Sequence, residues 1–169
     1  MAKVTLSAPF GGADISIETG RLAKQAAGSV IVSMGETVVL VTCSGSKDAR
    51  PIDFLPLSCE YVEKQYAAGR IPGNFFKRER QLGTGEILNC RLMDRPLRPL
   101  FDKNWRKEIQ LIATVMSYDG IHDPAICGMV GASAAAHISD IPFDGPAGSC
   151  RVILKDGEYK INPTIEEME

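Results

Sequence analysis

Histidine is scarce in this 169-residue chain, with only His122 and His137. Neither belongs to an HExxH pair, and the sequence holds no GxSxG elbow and no P-loop, so the common signatures of zinc peptidases, serine hydrolases and P-loop NTPases are missing. The five cysteines, Cys43, Cys59, Cys90, Cys127 and Cys150, are odd in number and widely spaced. With no CxxC and no Cys/His cluster they argue against a zinc site, and reduced thiols in a cytosolic protein are the simplest reading. Clustered metal-binding carboxylates are also lacking. No run of about 18 apolar residues exists, which excludes a membrane-crossing helix, and the opening MAKVTLSAPFGG is too weakly apolar for a signal peptide. An excess of basic charge is missing too: 19 Lys and Arg stand against 21 Asp and Glu, with a net charge of −2 and a pI near 5.8. That excludes a basic nucleic-acid arm as a property of the whole chain, but not a local basic patch.

What is present fits one globular domain. Apolar residues make up 44% and charged residues 24%, enough to bury a core without disulfides. Asp14 to Glu18 alternates with period two and predicts a half-buried strand. Ser29 to Met34 and Thr37 to Thr42 are β-branched runs joined by Gly35-Glu36, a two-residue hairpin loop. Leu57 to Val62 and Glu108 to Tyr118 predict two further strands. Helices are expected from Thr84 to Leu97, with Thr84 as N-cap and the prolines at 96 and 99 forcing the end, and from Pro124 to Ile138, opened by Asp123 with proline at N1. The second is rich in Ala, Gly and Ser and can pack close to a sheet. Gly148 to Lys155 and Glu158 to Ile161 form a last hairpin around Asp156-Gly157. The expected class is α+β, a mixed sheet with helices packed on one side.

The stretch from Glu63 to Gly83, EKQYAAGRIPGNFFKRERQLG, has no clear periodicity. It combines Lys64, Arg70, Lys77, Arg78 and Arg80 with Tyr66, Phe75 and Phe76. Burial in the core is the ordinary fate of at least one of the two phenylalanines. The functional reading is a loop that offers rings to stacked bases and cations to phosphates, as single-stranded nucleic acid requires. On the following helix Arg91, Arg95 and Arg98 fall within an arc of roughly 60°, a stripe that could hold a phosphodiester backbone or pair internally with Asp94 or Asp102. His137 reads as a packed residue and His122 as part of a turn and cap. The residues support binding more strongly than catalysis, and no catalytic or metal-ligating residue is assigned.

The segments AAGRIPGNFFKRE and EILNCRLMDRPLRPLF resemble the bacterial polynucleotide phosphorylase family, in the first of its two RNase PH-like domains. ISIETGRLAKQAAGSVIVSMGETVVLVT, GMVGASAAAHISDIPFDGPAGSCRV and INPT extend the likeness over nearly the whole chain. The chain departs from the family pattern where Glu79 is followed by Arg80-Gln81-Leu82, without the usual glycine, and at Ala125, where Asp is common. The resemblance implies an RNase PH-type fold related to the second domain of ribosomal protein S5. It implies a phosphorolytic 3′–5′ exoribonuclease that degrades single-stranded RNA with inorganic phosphate as co-substrate, releasing nucleoside diphosphates. Mg²⁺ and the chemical residues are expected in the second RNase PH-like domain, outside this chain, with KH and S1 domains beyond. A cytoplasmic homotrimeric ring, RNA-degradosome partners and no membrane association are expected. Phe75, Phe76, Lys77 and Arg78 would line the channel constriction and grip RNA, and Arg91, Arg95 and Arg98 would handle RNA near the active site. The alternative from the same likeness is a catalytically silent RNA-binding or ring subunit of an exosome-type complex. Because INPTIEEME opens a helix with Thr164 as N-cap, the domain is expected to be cut short at its C-terminal end, and the 169 residues alone are expected to be inactive.

Overall fold

The computed structural model describes residues 2–73, 79 and 81–168. Eight strands and three α-helices follow in the order β1 (Val4–Pro9), β2 (Asp14–Thr19), β3 (Gly28–Met34), β4 (Thr37–Ala49), β5 (Leu57–Glu63), α1 (Thr84–Leu97), β6 (Lys107–Ser117), α2 (Pro124–His137), β7 (Val152–Lys155), β8 (Glu158–Ile161) and α3 (Ile165–Met168). Short 3₁₀ turns cover Gln65–Ala68 and Arg98–Leu100.

Six strands form one sheet in the order β1-β2-β3-β4-β6-β5, and β7 and β8 make a separate hairpin. All neighbours are antiparallel except β5 and β6, which run parallel and are connected through α1. The sheet is therefore mixed, as expected. The β3–β4 loop turns at Gly35 with φ of 59°. A side chain is excluded there twice over, because a Cβ would also lie 2.6 Å from the ring of His122.

The alternation along β3, β4 and β6 decides where the core lies. Val30, Val32, Val39, Val41, Leu111, Ala113 and Val115 all point to one face and are buried there. α2 covers that face. It is apolar nearly all round, as a helix enclosed by sheet and neighbours must be. Its closeness depends on Gly131, where a Cβ would stand 2.5 Å from Val41 Cγ2 and 2.9 Å from Val32 Cγ2. The small-residue composition thus has the role read from the sequence. α1 lies on β5 and touches α2, so both long helices share one side of the sheet.

Several boundaries differ from the sequence reading. β1 was not anticipated: it pairs only with β2, all six residues are exposed, and no burial alternation marks it. β4 continues to Ala49, past a register shift beyond Gly45. The N-cap of α1 is Gly83 rather than Thr84. It offers no side-chain oxygen, but its N–H donates to Glu86 Oε2 at 2.6 Å. His137 is exposed in the last turn of α2, not packed. Ala132, Ala135 and Ala136 take the sheet-facing positions instead. Asp156 and Gly157 both carry positive φ, 53° and 83°, as a type I′ hairpin requires. Thr164 opens α3 as read, with its backbone N–H on Glu167 Oε2 and its Oγ1 facing the Glu167 N–H.

Candidate nucleic-acid interface

β5 is an edge strand, and a bare edge leaves every second N–H and C=O without a partner. Here side chains take the place of a neighbouring strand. Glu86, Cys90, Asp94 and Arg98 recur every four residues and run along the β5 edge. The N–H of Tyr61 meets Cys90 Sγ at 3.1 Å and the N–H of Glu63 meets Glu86 Oε1 at 2.8 Å. Arg98 donates to the carbonyl oxygens of Leu57 (2.9 Å) and Leu55 (3.2 Å). Asp94 receives Arg98 Nε and Nη2 at 2.9 and 2.6 Å, which favours the charged guanidinium. Beyond the strand the same edge continues: the Gln65 N–H donates to Glu79 Oε1 at 2.6 Å, and Lys64 Nζ donates to the Glu79 carbonyl at 3.3 Å.

This arrangement divides the arginine stripe. Arg98 sits in the turn that ends α1 and spends four donor contacts on Asp94 and β5. Arg91 and Arg95 project from the outer side of α1, both exposed, with no ion pair to a described residue. They share that surface with Ile87, Leu88 and Leu92, which are 45%, 60% and 48% exposed. The surface therefore mixes cations with uncovered apolar side chains. Tyr66 is a half-exposed ring in the 3₁₀ turn, its hydroxyl 3.9 Å from Sδ of Met116, which lies on the face of β6 away from the helices. Phe75, Phe76, Lys77 and Arg78 lie outside the described residues, as does Arg80.

Below this edge an open cavity of about 580 Å³ is lined by residues including Glu63, Lys64, Glu86, Asn89, Asp123 and Arg151. Asp123 caps α2 by accepting the Ala125 N–H at 2.9 Å and pairs with Arg151 at 2.7 Å. Cavity and Glu79 contact thus gather at one end of β5.

A second polar cluster went unnoticed in the sequence. Asp119 accepts the N–H groups of Glu36, Ile121 and His122, the hydroxyl of buried Thr37 (2.9 Å) and His122 Nδ1 (2.7 Å). Burial works to raise its pKa, but these hydrogen bonds outweigh burial and hold the carboxyl well below its usual range. The cluster clasps the β3–β4 turn to the segment before α2. His122 is thus a structural partner of Asp119, and the α2 cap is Asp123 itself.

None of the buried thiols is poised as a nucleophile. Burial pushes Cys43 up to about 11 and Cys127 up to about 12, and it raises Cys59 further. All five cysteines are free. Among the described residues no group of three or more His, Cys, Asp or Glu is placed to hold a metal ion.

Residues 12–142 match the model of the 3′ exoribonuclease family, domain 1. The chain belongs to this family. It is 57% identical over 169 residues to the polyribonucleotide nucleotidyltransferase of Desulfatibacillum aliphaticivorans, covering 99% of this chain and 24% of that protein. It is 54% identical over 161 residues to the protein of the same name from Geotalea uraniireducens (strain Rf4), covering 95% of this chain and 23% of that protein. The chain thus spans about a quarter of the length of these relatives. Among solved structures, rice Rrp46 superposes with a TM-score of 0.66 at 22% identity over 91% of this chain and 70% of that one. The Archaeoglobus fulgidus exosome with RNA bound to its active site gives 0.64 at 18% identity over 95% and 69%. At such identities the likeness is one of fold, and it is the RNase PH-type fold expected from the sequence motifs.

Proposed function

We propose that this chain is the first RNase PH-like domain of a polyribonucleotide nucleotidyltransferase, a phosphorolytic 3′–5′ exoribonuclease that takes part in RNA turnover. The 57% identity to a protein of that name, running through 99% of the chain, carries the reading. In this reaction an oxygen of inorganic phosphate attacks the phosphorus of the terminal phosphodiester of single-stranded RNA, the bond to the 3′ oxygen of the preceding nucleotide breaks, and the shortened RNA with its 3′ hydroxyl and a nucleoside diphosphate are released. Charge developing on the phosphoryl oxygens is neutralised by cationic and hydrogen-bonding groups. In this reading Mg²⁺ and the residues of the chemical step belong to the part of the enzyme outside this chain.

The contribution of these 169 residues is to grip RNA and to build a homotrimeric ring. The exposed Arg91 and Arg95 beside uncovered apolar side chains support the first role. Phe75, Phe76, Lys77 and Arg78 extend the grip, with the aromatic rings stacking on bases and the cations meeting phosphates. Arg98 acts at the same surface by holding α1 against β5. RNA-degradosome proteins are the partners this reading calls for, and the cytoplasm its location. Among the described residues no helix is long and apolar enough to cross a membrane.

The second reading is a catalytically silent exosome-type ring subunit. It draws on the fold likeness to rice Rrp46 and the archaeal exosome, but at 22% and 18% identity that likeness is far weaker than the 57% match. RNA degradation assayed with and without inorganic phosphate separates the two. The complete gene product is expected to release nucleoside diphosphates only when phosphate is present, and the 169-residue chain alone to release none. A complete product without phosphate-dependent degradation would leave the exosome-type reading standing.

A further inference from the structure

A cavity of about 430 Å³ lies at the end of the sheet away from the β3–β4 turn, and Gln25, Lys47, Trp105, Lys107, Asp140 and Ile141 are among the residues that line it. They come from four segments: the β2–β3 connection, the far end of β4, the start of β6 and the chain leaving α2. Enclosure by four segments suits a small molecule. The β4 wall is irregular. Gly45 pairs with Ile109 and Ala49 with Lys107, so four steps along β4 face two along β6. The excess bulges out at residues 46–48. Ser46 Oγ pins the bulge by accepting the Glu108 N–H and donating to the Asp48 carbonyl, both at 2.9 Å. A bulge of this kind re-aims the side chains it carries.

Lys107 continues the alternation of Ile109, Leu111, Ala113 and Val115, the residues of β6 that face the helices, yet it puts a cation where that pattern calls for an apolar side chain. Its Nζ lies 5.5 Å from the centre of the Trp105 ring. Glu108, the acid beside it in sequence, is taken by Arg50. Neither Lys47 nor Lys107 forms an ion pair with a described residue, and Asp140, the one acid of the lining, pairs with neither. The Trp105 indole N–H is buried with no partner among the described residues. The last carbonyls of α2 are already met, Ala134 by the Ile138 N–H and Ala136 by the N–H and hydroxyl of Ser139, so they do not engage the lysines. These groups match the parts of one ligand. Two ammonium groups suit phosphate oxygens. A carboxylate suits the hydroxyls of a ribose, and an indole offers apolar surface to a base. A bare inorganic anion would gain nothing from Asp140 or Trp105.

We propose that this cavity binds a nucleoside phosphate. Lys47 and Lys107 hold the phosphate oxygens, Asp140 accepts the ribose hydroxyls and Trp105 packs against the base. The inference does not depend on the RNA-degrading reading, and activity is not its readout.

The test uses the complete gene product with ADP as the probe. Lysines are acetylated with an N-hydroxysuccinimide ester and the extent at each is read by peptide mass spectrometry. Millimolar ADP is expected to slow acetylation of Lys47 and Lys107 several-fold and to leave Lys155, in β7, unchanged. Because each lysine is read separately, ADP held elsewhere in the protein does not enter the result. Lys107→Gln should raise the ADP concentration that protects Lys47 about tenfold, the scale of one lost charged hydrogen bond, and Lys47→Gln should do the same for Lys107. Asp140→Ala should weaken protection by ADP but not by inorganic diphosphate. Lys47 and Lys107 acetylated at the same rate with and without ADP overturn the proposal, as does equal protection of Lys155 or protection of Lys47 that survives Lys107→Gln unchanged. Inorganic diphosphate protecting as well as ADP would make this a site for a bare anion. Oligoadenylate protecting at lower concentration than ADP would make it a stretch of an RNA path. Either result refutes the nucleoside phosphate.

Discussion

Arg98 and its neighbours Arg91 and Arg95 look alike on a helical wheel, yet the structure gives them different surroundings, and substitution to alanine separates them. Arg98→Ala removes donors from the carbonyl oxygens of Leu55 and Leu57, both residues at least nine-tenths buried, and frees Asp94 from its partner. A lost bond to a buried carbonyl costs about 1 kcal/mol each. The ion pair is partly open to solvent, with the Arg98 side chain 41% exposed. It adds about 0.5 kcal/mol after screening. The sum is about 2–3 kcal/mol, or roughly 5–10 °C in Tm for a domain of this size. Arg91→Ala and Arg95→Ala break no contact to a described residue and should change stability by no more than about 0.5 kcal/mol. Differential scanning calorimetry and RNA titrations at several salt concentrations read both sides. Arg91→Ala and Arg95→Ala should each lower the salt slope of RNA binding by about 1, the signature of one phosphate contact. Arg98→Ala should lower Tm first of all, with Arg98→Lys recovering little because an ammonium lacks the two-pronged geometry. If Arg98→Ala keeps the wild-type Tm, the row of contacts along β5 does not hold α1 in place and the reasoning fails.

Two glycines in helices should respond to alanine with opposite signs. At Gly131 the new methyl would overlap Val41 and Val32, whose branched side chains cannot turn away, so a loss of about 1–3 kcal/mol in urea unfolding is expected despite the better helix propensity. At Gly85 a Cβ meets no described atom within 4 Å, and Gly85→Ala should gain about 0.5–1 kcal/mol. Stability should also depend on Asp119 in acid. Its folded pKa lies below the unfolded value of about 3.9, so its contribution is complete above that pH and fades as pH falls toward the depressed folded value. The stability difference between wild type and Asp119→Asn, followed by urea unfolding, should therefore shrink below about pH 4. A difference that does not change from pH 6 to pH 3 would contradict the clasp.

The main elements were legible because their causes are local. β-Branched alternation marks Val30 to Val41, the Asp123-Pro124 pair opens α2, and the Asp156-Gly157 turn announces its hairpin. The glycines and alanines of α2 also announced a close approach to the sheet, and Gly131 makes it. β1 escaped because its apolar residues Val4 and Leu6 remain exposed at the edge of the sheet, and burial never shapes the strand. Composition proposed a candidate site, but it could not give the geometry around it. Periodicity placed Arg98 with Arg91 and Arg95, since spacing on a helix cannot report which side meets a strand from elsewhere in the chain. The same limit hid Asp119, whose partners at Glu36 and Thr37 lie more than eighty residues away. Glu86, Cys90, Asp94 and Arg98 do share a spacing of four. That pattern becomes meaningful only beside an edge strand whose amides and carbonyls need partners.

Sealing an edge with side chains differs from sealing it with another strand. A strand supplies backbone groups that every residue type except proline carries, whereas the contacts along β5 depend on the identity of particular side chains. The hold of α1 on this edge can therefore be tightened or loosened in single steps through Glu86, Cys90 or Arg98, while the hydrogen bonds between β5 and β6 stay as they are.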